Sequence, residues 1–275
     1  GSIVSPELPI EFINTGELDI KTTYVLPVTI KSVEGIGVLQ SAKTYYYVFR
    51  GASLINVVCN ISRNRAYPDF KNDSKFNNLT ENTMEILFKA NSFPNTLNTL
   101  MGIESNYLLR IGDATIPNNQ LQVATSVNNC TSADLQLESG KWYHVAVAFN
   151  KGNVKVYING VEKLSGSTGK SSVSLGAKHT NEEDGSRCFW VGYSYKDDRY
   201  FDGVVSEVRI WNRALTAEEI QATNHFYTIE PESEGLIAYW KFDEGSGTVA
   251  KDYSVSGYDL TIEKEPKWES VSLPQ

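Results

Sequence analysis

The sequence predicts an all-β protein organised as a β-sandwich, with a small β domain ahead of it. Short runs of β-branched and aromatic residues recur along most of its 275 residues and are separated by Gly, Asn and Asp. Strands at roughly 8–15 residue spacing are typical of antiparallel sandwiches. Only one segment carries the signals of a helix, which also favours the all-β class.

The first 65 residues predict a small β domain, complete or partial. Strands are predicted at residues 24–30, 45–49 and 55–59, and Pro27 in the first of them favours an edge strand. A polar stretch with few aliphatic side chains follows over residues 62–82. This composition predicts a linker, so the domain boundary is expected near residue 65, with a second domain over residues 66–275.

Further strands and one helix are predicted after the boundary. The strands cover residues 84–88, 107–111, 120–123, 134–137, 142–149, 154–158, 189–193, 204–211, 236–242 and 258–262. Gly152 suits the positive φ of a tight hairpin, and Asn159-Gly160 predicts the next turn. Thr216 and Glu219 form a capping box, which predicts a helix of about ten residues ending near His225.

The charge balance argues against nucleic acid as a partner, and the hydropathy pattern argues against a membrane span. Lys and Arg number 25 and Asp and Glu number 33, which gives a net charge of −8. So acidic a chain, without a basic patch, is not expected to bind nucleic acid. No run of about 18 apolar residues is present, so no membrane span is expected, and the first residues lack the pattern of a signal peptide.

Several residues that could suggest chemistry are predicted to be structural. The cysteines are far apart and form no CxxC pair, which argues against a zinc site and predicts buried thiols that act as small hydrophobic side chains. His144 is expected to be a satisfied histidine within its strand. The residues expected to pack in the core are Trp142, Trp211, Trp240 and Trp268, and the cysteines are Cys59, Cys130 and Cys188.

Five separated motifs carry a family resemblance. They are W-Y-H-V-A at 142–146, V-Y-I-N-G at 156–160, F-D-G-V-V-S-E-V-R-I-W-N-R-A-L at 201–215, T-A-E-E-I at 216–220 and W-K-F-D-E-G-S-G at 240–247. They resemble the motifs of laminin-G-like domains, which have the concanavalin A-type jelly-roll fold. The resemblance covers roughly residues 66–273 and implies that fold. In many members the last of these strands comes first, a permutation that a jelly roll with neighbouring termini can accept.

The front of the chain carries a second, shorter resemblance. Residues 24–32 are similar to the end of an uncharacterised domain found at the N-terminus of Bacteroidetes surface lipoproteins, ahead of lectin-like or glycosidase modules. This resemblance implies an extracellular or outer-membrane-surface location, with a lipid anchor on a removed N-terminal segment. It also implies other outer-surface glycan-uptake proteins as partners.

Ligand binding is expected in the loops, because the matched motifs are mostly framework. The loop at 176–188 and the aromatic stretch after it combine ring faces with planar polar groups, the two kinds of group that hold sugars. A second candidate surrounds a predicted turn near residue 113. The predicted ligand-binding residues are His179, Asp184, Arg187, Trp190, Tyr193, Tyr195, Asp198 and Arg199, with Tyr107 and Arg110 of the second candidate. The alternative is an ordinary solvated loop.

Calcium is the metal that the resemblance suggests, since these folds often bind it through Asp and Asn oxygens. Ser206 stands where the family motif has an aspartate, which removes one carboxylate. The remaining candidate ligands for a structural Ca²⁺ are Asp243, Glu244 and Asp252.

The preferred function is non-catalytic binding of a poly- or oligosaccharide at the cell surface, as part of a glycan-capture system. Glucanases with the same jelly roll carry an E-x-D-x-x-E strand motif that this chain lacks, so an enzyme is not predicted. Two alternatives stay open. A broad apolar patch would favour a protein or matrix adhesion module. Two carboxyl groups about 5–9 Å apart in a cleft would favour a glycoside hydrolase.

Overall fold

The computed structural model describes residues 18, 22–32, 34, 41, 43–50, 53–179 and 187–274. The chain divides into two compact units, one over residues 1–54 with 272–275 and one over residues 55–271. Strands form nearly all the regular structure of the described residues, which confirms the predicted all-β class.

The described part of the first unit is an antiparallel pair of strands, β1 (Thr23–Thr29) and β2 (Thr44–Arg50). Both lie where the sequence predicts strands. Pro27 lies opposite Tyr46, and the proline is tolerated because both strands of a two-stranded sheet are edges.

The second unit begins at β3 (Ile55–Asn60), ahead of the boundary predicted near residue 65. This strand pairs with β13 (Gly203–Trp211), far along the chain. The predicted linker is part of the folded unit, since Phe70 and Phe76 are fully buried. The linker prediction was wrong because the few side chains that are buried in this stretch are separated by turn-forming Asn and Asp.

The other strands of the second unit form two sheets. The eight-stranded sheet adds β5 (Glu81–Ala90), β9 (Trp142–Asn150), β10 (Asn153–Ile158), β11 (Val161–Ser167), β14 (Leu236–Trp240) and β17 (Lys267–Leu273). Its order among the described residues is β11-β10-β9-β5-β13-β3-β17, with β14 beside β13.

The second sheet has seven strands within the described ranges. It contains β4 (Ala66–Pro68), β6 (Asn98–Ile103), β7 (Tyr107–Asp113), β8 (Ile116–Thr125), β12 (Trp190–Val191), β15 (Val249–Ala250) and β16 (Leu260–Ile262), in the order β15-β16-β4-β12-β6-β7-β8. The predicted strand at residues 134–137 is instead a 3-10 turn, Ala133–Leu135.

The main core lies between the two sheets. Alternation along β5 sends Met84 and Ile86 into this core and Glu85 to the outer face of the eight-stranded sheet. Trp240 is fully buried in the core, and Trp211 is buried in a second cluster on that outer face. Trp142 and Trp268, also predicted core residues, are only partly buried.

Local signals in the sequence set the turns correctly but not the helix length. Lys151 and Gly152 have φ of 46° and 95°, and Asn159 and Gly160 have φ of 48° and 76°, as two tight hairpin turns require. The capping box is present, yet α1 (Ala217–Ile220) has only four residues. The C-cap residue Gln221 keeps φ of −88° and ψ of −1°, and the chain then continues in turns, with φ of 63° at Asn224.

Two further expectations concern the cysteines and a membrane span. Cys59, Cys130 and Cys188 are all buried, as predicted. No helix among the described residues is long and apolar enough to cross a membrane.

Candidate functional site

The outer face of the seven-stranded sheet carries most of the predicted ligand-binding residues. Val191 and Leu109 point into the core, so alternation places their neighbours Trp190 and Arg110 on the opposite face. The segment at residues 187–202 contacts this face, for example through the 2.8 Å hydrogen bond between the hydroxyls of Ser194 and Thr99. The two candidate regions predicted from sequence therefore share one surface.

An aromatic stack forms the first part of this surface. The rings of Tyr67 and His179 are stacked with centroids 3.5 Å apart, and His179 meets Trp190 edge-on at 5.0 Å. The Arg65 guanidinium lies 5.0 Å from the Trp190 ring and 4.5 Å from the Tyr193 ring. Trp190 and Tyr193 are only 2% and 4% exposed, so they cannot offer a ring face to a sugar. Burial lowers the pKa of His179, which keeps its imidazole neutral at pH 7.

Glu104, which sequence reasoning missed, joins the two candidate regions. Its carboxylate accepts a 2.9 Å hydrogen bond from Arg199 and lies 3.9 Å from Arg110. Arg110 is 7% exposed and also donates to Gln122 and Asp113. These two arginines therefore anchor the segment at 187–202 on the sheet, and Arg110 has few donors left for a ligand.

Tyr195 lies at the exposed end of the same segment. Three cations surround its ring, at 5.4 Å for Arg187, 5.2 Å for Lys196 and 4.9 Å for Arg199. Arg187 and Asp198 are exposed. These residues stay accessible to solvent, in contrast to Trp190.

Tyr107, another predicted ligand-binding residue, does not lie on this surface. Tyr107 is fully buried in the core against Phe149, at a ring distance of 5.8 Å, so its predicted ligand contact is wrong. Its side chain points inward because it alternates with Leu108 at the start of β7. Asp184 lies outside the described residues.

An open cleft of about 700 Å³ lies beside this surface. It is lined by Ser62, Arg63, Ser92, Pro94, Asn95, Asp197, Tyr200, Phe201, Asp202 and Lys264. Asp197 and Tyr200 belong to the segment predicted to bind ligand, and the other lining residues were missed. They come from four distant stretches of chain, and the F-D-G motif that contains Asp202 resembles framework.

Asp202 is held rigidly at this cleft. Ser62 and Ser92 donate hydrogen bonds to its carboxylate at 2.8 Å and 2.5 Å, and Asn91 donates at 3.3 Å. Partial burial raises its pKa, but these hydrogen bonds outweigh burial and hold the pKa below its usual range. Asn95 donates to the Tyr200 carbonyl at 3.0 Å, and burial raises the pKa of Tyr200 to about 12. The cleft thus presents an ionised carboxylate and a neutral aromatic side chain in set positions.

The three predicted calcium ligands do not form a common site. Asp252 accepts hydrogen bonds from the backbone amides of Tyr239, Ser254 and Tyr258, at 2.8–2.9 Å. These contacts use both of its oxygens to fix the backbone. Among the described residues, Asp243, Glu244 and Asp252 do not bring ligand atoms close enough to share an ion. The residues present therefore do not fit the predicted calcium.

One described group does bring metal-ligand atoms together, namely Glu85, His144 and His225. Glu85 lies 2.6 Å from His225 Nε2 and 3.3 Å from His144 Nε2, and it accepts a 2.6 Å hydrogen bond from Trp211. The Arg209 guanidinium lies 3.7 Å from the same carboxylate. The guanidinium and the indole N–H already contact this buried carboxylate. The group is therefore interpreted as a structural hydrogen-bond network and not as a metal site. His144 is fully buried in its strand, but neither ring nitrogen makes a hydrogen bond within the described part of the chain, so the prediction of a satisfied histidine is wrong on that point.

Solved structures of similar fold provide a comparison. A proposed carbohydrate-binding protein from Bacteroides ovatus is 26% identical, with a TM-score of 0.68 over 92% of this chain and 70% of that chain. Domain 4 of a Geobacillus stearothermophilus arabinanase is 20% identical, with a TM-score of 0.46 over 75% and 88% of the two chains. A Limulus polyphemus pentraxin is 14% identical, with a TM-score of 0.43 over 63% and 83%. No curated protein gives a significant match.

The family comparison covers the centre of the second unit. The model of the concanavalin A-like lectin/glucanases superfamily matches residues 64–221, which is more than half of the chain. This range holds four of the five motifs that carry the laminin-G-like resemblance. The chain belongs to the concanavalin A-like lectin/glucanases superfamily.

Proposed function

We propose that this protein binds a carbohydrate without cleaving it, and that the cleft around Asp202 and Tyr200 is the binding site. The observation that carries the proposal is the pairing of an aromatic wall with a fixed carboxylate in an open cleft of about 700 Å³. Sugars offer apolar C–H faces to rings and paired hydroxyls to planar polar groups. A rigid site lowers the entropy lost on binding.

The charge states in the cleft support binding rather than hydrolysis. A glycosidase needs one carboxylic acid that keeps its proton, which requires a raised pKa. The hydrogen bonds to Asp202 keep its pKa low, so it serves as an acceptor for sugar hydroxyls. Burial raises the pKa of Glu207 and of Glu244, but neither residue lines the cleft.

A cell-surface role in glycan capture extends this proposal. It is supported by the likeness to the Bacteroides ovatus protein, which is described as carbohydrate-binding, and by the resemblance of residues 24–32 to surface lipoproteins. On this view the first unit is a spacer behind a lipid anchor. Other outer-surface glycan-uptake proteins are the expected partners.

A glycan array probed with the intact chain tests the proposal. We expect reproducible binding to one glycan class, and at least about tenfold weaker binding for Tyr200→Ala because the stacking face is lost. Tyr253→Ala is the matched control, since Tyr253 is also partly buried but does not line the cleft. A blank array with folded protein would contradict the proposal and favour a protein or matrix partner.

A further inference from the structure

The cleft contains two cations for which the described part of the chain provides no ion pair. Arg63 and Lys264 line it, and neither makes an ion pair within 4.0 Å among the described residues. Nearby cations differ in this respect, because Arg65 pairs with Glu263 and Lys267 lies 3.3 Å from Glu269. Other described cations, among them Lys71, Lys151 and Lys163, also make no ion pair. Arg63 and Lys264 differ from them because both line one cleft, in a chain whose net charge is −8.

The fold holds these two residues side by side. Asn64, which follows Arg63 and is only 5% exposed, donates from its amide to the Lys264 carbonyl at 2.7 Å. Its side-chain oxygen accepts from the Lys264 backbone N–H at 3.2 Å. One buried side chain therefore clamps both polar groups of the Lys264 backbone beside Arg63. The pair of cations is a built feature of the cleft, although 200 residues separate Asn64 and Lys264 in sequence.

The backbone at Arg63 is strained. Its φ is 53°, in the left-handed region where glycine and asparagine are far more common than arginine. The turn that requires this conformation is closed by a 2.9 Å hydrogen bond from Asn64 N to the Ile61 carbonyl. Lys71 and Lys151 have similar φ values of 52° and 46°, so strain alone does not mark a functional residue. At Arg63 the strained position also lines the cleft.

The charges of opposite sign are placed differently. Asp202 is already engaged by three side-chain donors, and Arg63 lies close enough to help hold its pKa down. Asp197 is exposed at the rim. A carboxylate of the ligand would therefore meet the guanidinium of Arg63 and the ammonium of Lys264. Asp202 would accept hydrogen bonds from the uncharged hydroxyls of the same sugar.

We propose that the cleft selects saccharides that carry a carboxylate, with Arg63 and Lys264 binding that group while the sugar ring packs on Tyr200. This inference rests on the proposed carbohydrate-binding function and names its ligand class. A guanidinium can make two parallel hydrogen bonds to a carboxylate, which gives both charge and geometric selectivity.

The test uses matched pairs of saccharides. Oligosaccharides that contain galacturonate, glucuronate or sialate are compared with their methyl esters, which keep the sugar ring and remove the charge. With the full chain in low salt, we expect the best acidic ligand to bind about tenfold or more tighter than its ester by calorimetry. The difference should shrink as salt is added, because the interacting charges are at an open surface.

Three variants locate the effect. Arg63→Gly and Lys264→Gln should weaken binding of the acid by a larger factor than binding of the ester, because only the acid carries the group that these cations bind. Arg63→Gly should also keep or raise the melting temperature, because glycine adopts this φ without strain, so misfolding would not explain the loss. Lys267→Gln, which removes a paired lysine, is the control and should keep the preference.

The outcomes separate the two proposals. Equal binding of an acid and its ester, or an acid preference that survives both Arg63→Gly and Lys264→Gln, would overturn the inference and leave carbohydrate binding intact. No binding of any saccharide by folded protein would overturn both.

Discussion

The outer face of the eight-stranded sheet and the cleft both carry charged residues, but in opposite situations. On the eight-stranded sheet, Glu85, His144 and Arg209 are buried under the segment at 212–235, which packs Ile220 into the second cluster. At the cleft beside the seven-stranded sheet, charged side chains stay open to solvent. The same residue types therefore stabilise the fold where the chain covers them and form a candidate binding site where it does not.

Pairing explains why the covered face is stable. A buried charge is tolerated only when donors and acceptors replace the water that it loses. Glu85 has contacts with His225, Trp211, His144 and Arg209, and Glu207 accepts from Arg209 and Tyr239. Unpaired cations such as those of the cleft could not be buried in this way without a ligand.

The largest expected effect comes from removing the centre of the covered cluster. Glu85→Ala removes the buried acceptor of the Trp211 N–H and one of the two carboxylates beside Arg209, so the free energy of unfolding should fall by about 3–5 kcal/mol. Urea unfolding at pH 7 measures the loss. Glu162→Ala, which breaks the exposed pair with Lys155, should cost less than about 1 kcal/mol. Equal effects of the two changes would show that burial does not distinguish the faces.

The second-largest effect is expected from acid, which should lower the free energy of unfolding through the buried groups of the covered face. Burial lowers the pKa of His144 from 6.5, so the unfolded chain takes up a proton that the folded chain excludes, and stability falls as pH drops below about 6.5. Burial alone would raise the pKa of Glu85, but contacts with His144, His225 and Arg209 hold that pKa well below 4.5. The folded protein therefore loses further stability as the pH falls below about 4.5.

Comparison with His144→Gln isolates the histidine. The control is needed because the raised pKa of Glu207 acts in the opposite direction over the same range. Unfolding measured at pH 7 and pH 5 should show a smaller stability loss for His144→Gln than for the parent. An equal loss in both proteins would contradict a neutral, buried His144.

A smaller effect is expected where Glu104 anchors the segment at 187–202. Glu104→Gln weakens the pairs with Arg199 and Arg110, so stability should fall by about 1–2 kcal/mol and amide exchange should quicken in that segment. Asp198→Asn is the control, because Asp198 is exposed and lies 3.9 Å from Arg199. Unchanged exchange in Glu104→Gln would mean that the segment is held by its aromatic contacts alone.

No effect is expected from calcium. Because Asp252 is saturated by backbone amides, the melting temperature should be the same in millimolar calcium and in EDTA. A higher melting temperature in calcium than in EDTA, if Asp243→Asn abolishes the difference, would support the metal site predicted from sequence.

Local signals in the sequence were reliable where the physics is local. The Thr216 capping box and the Asn159-Gly160 turn depend on neighbouring residues, and both are present. The prediction that Trp190 and Tyr193 bind ligand depended on their exposure. Packing against Arg65, Tyr67 and Tyr200 buries both rings. Tyr107 was misplaced for a related reason, because the side of the strand that faces the core depends on the partner sheet.

By itself, the sequence determined the all-β class, the superfamily and the hairpin turns, since strand periodicity and turn conformations are encoded within a few residues. Only the tertiary structure decided which polar residues are covered and which are open. Arg63 and Lys264 become neighbours through Asn64, and Glu104 joins two candidate regions that lie far apart in the chain. Pairing and burial are long-range properties, because they depend on which distant segments fold against one another.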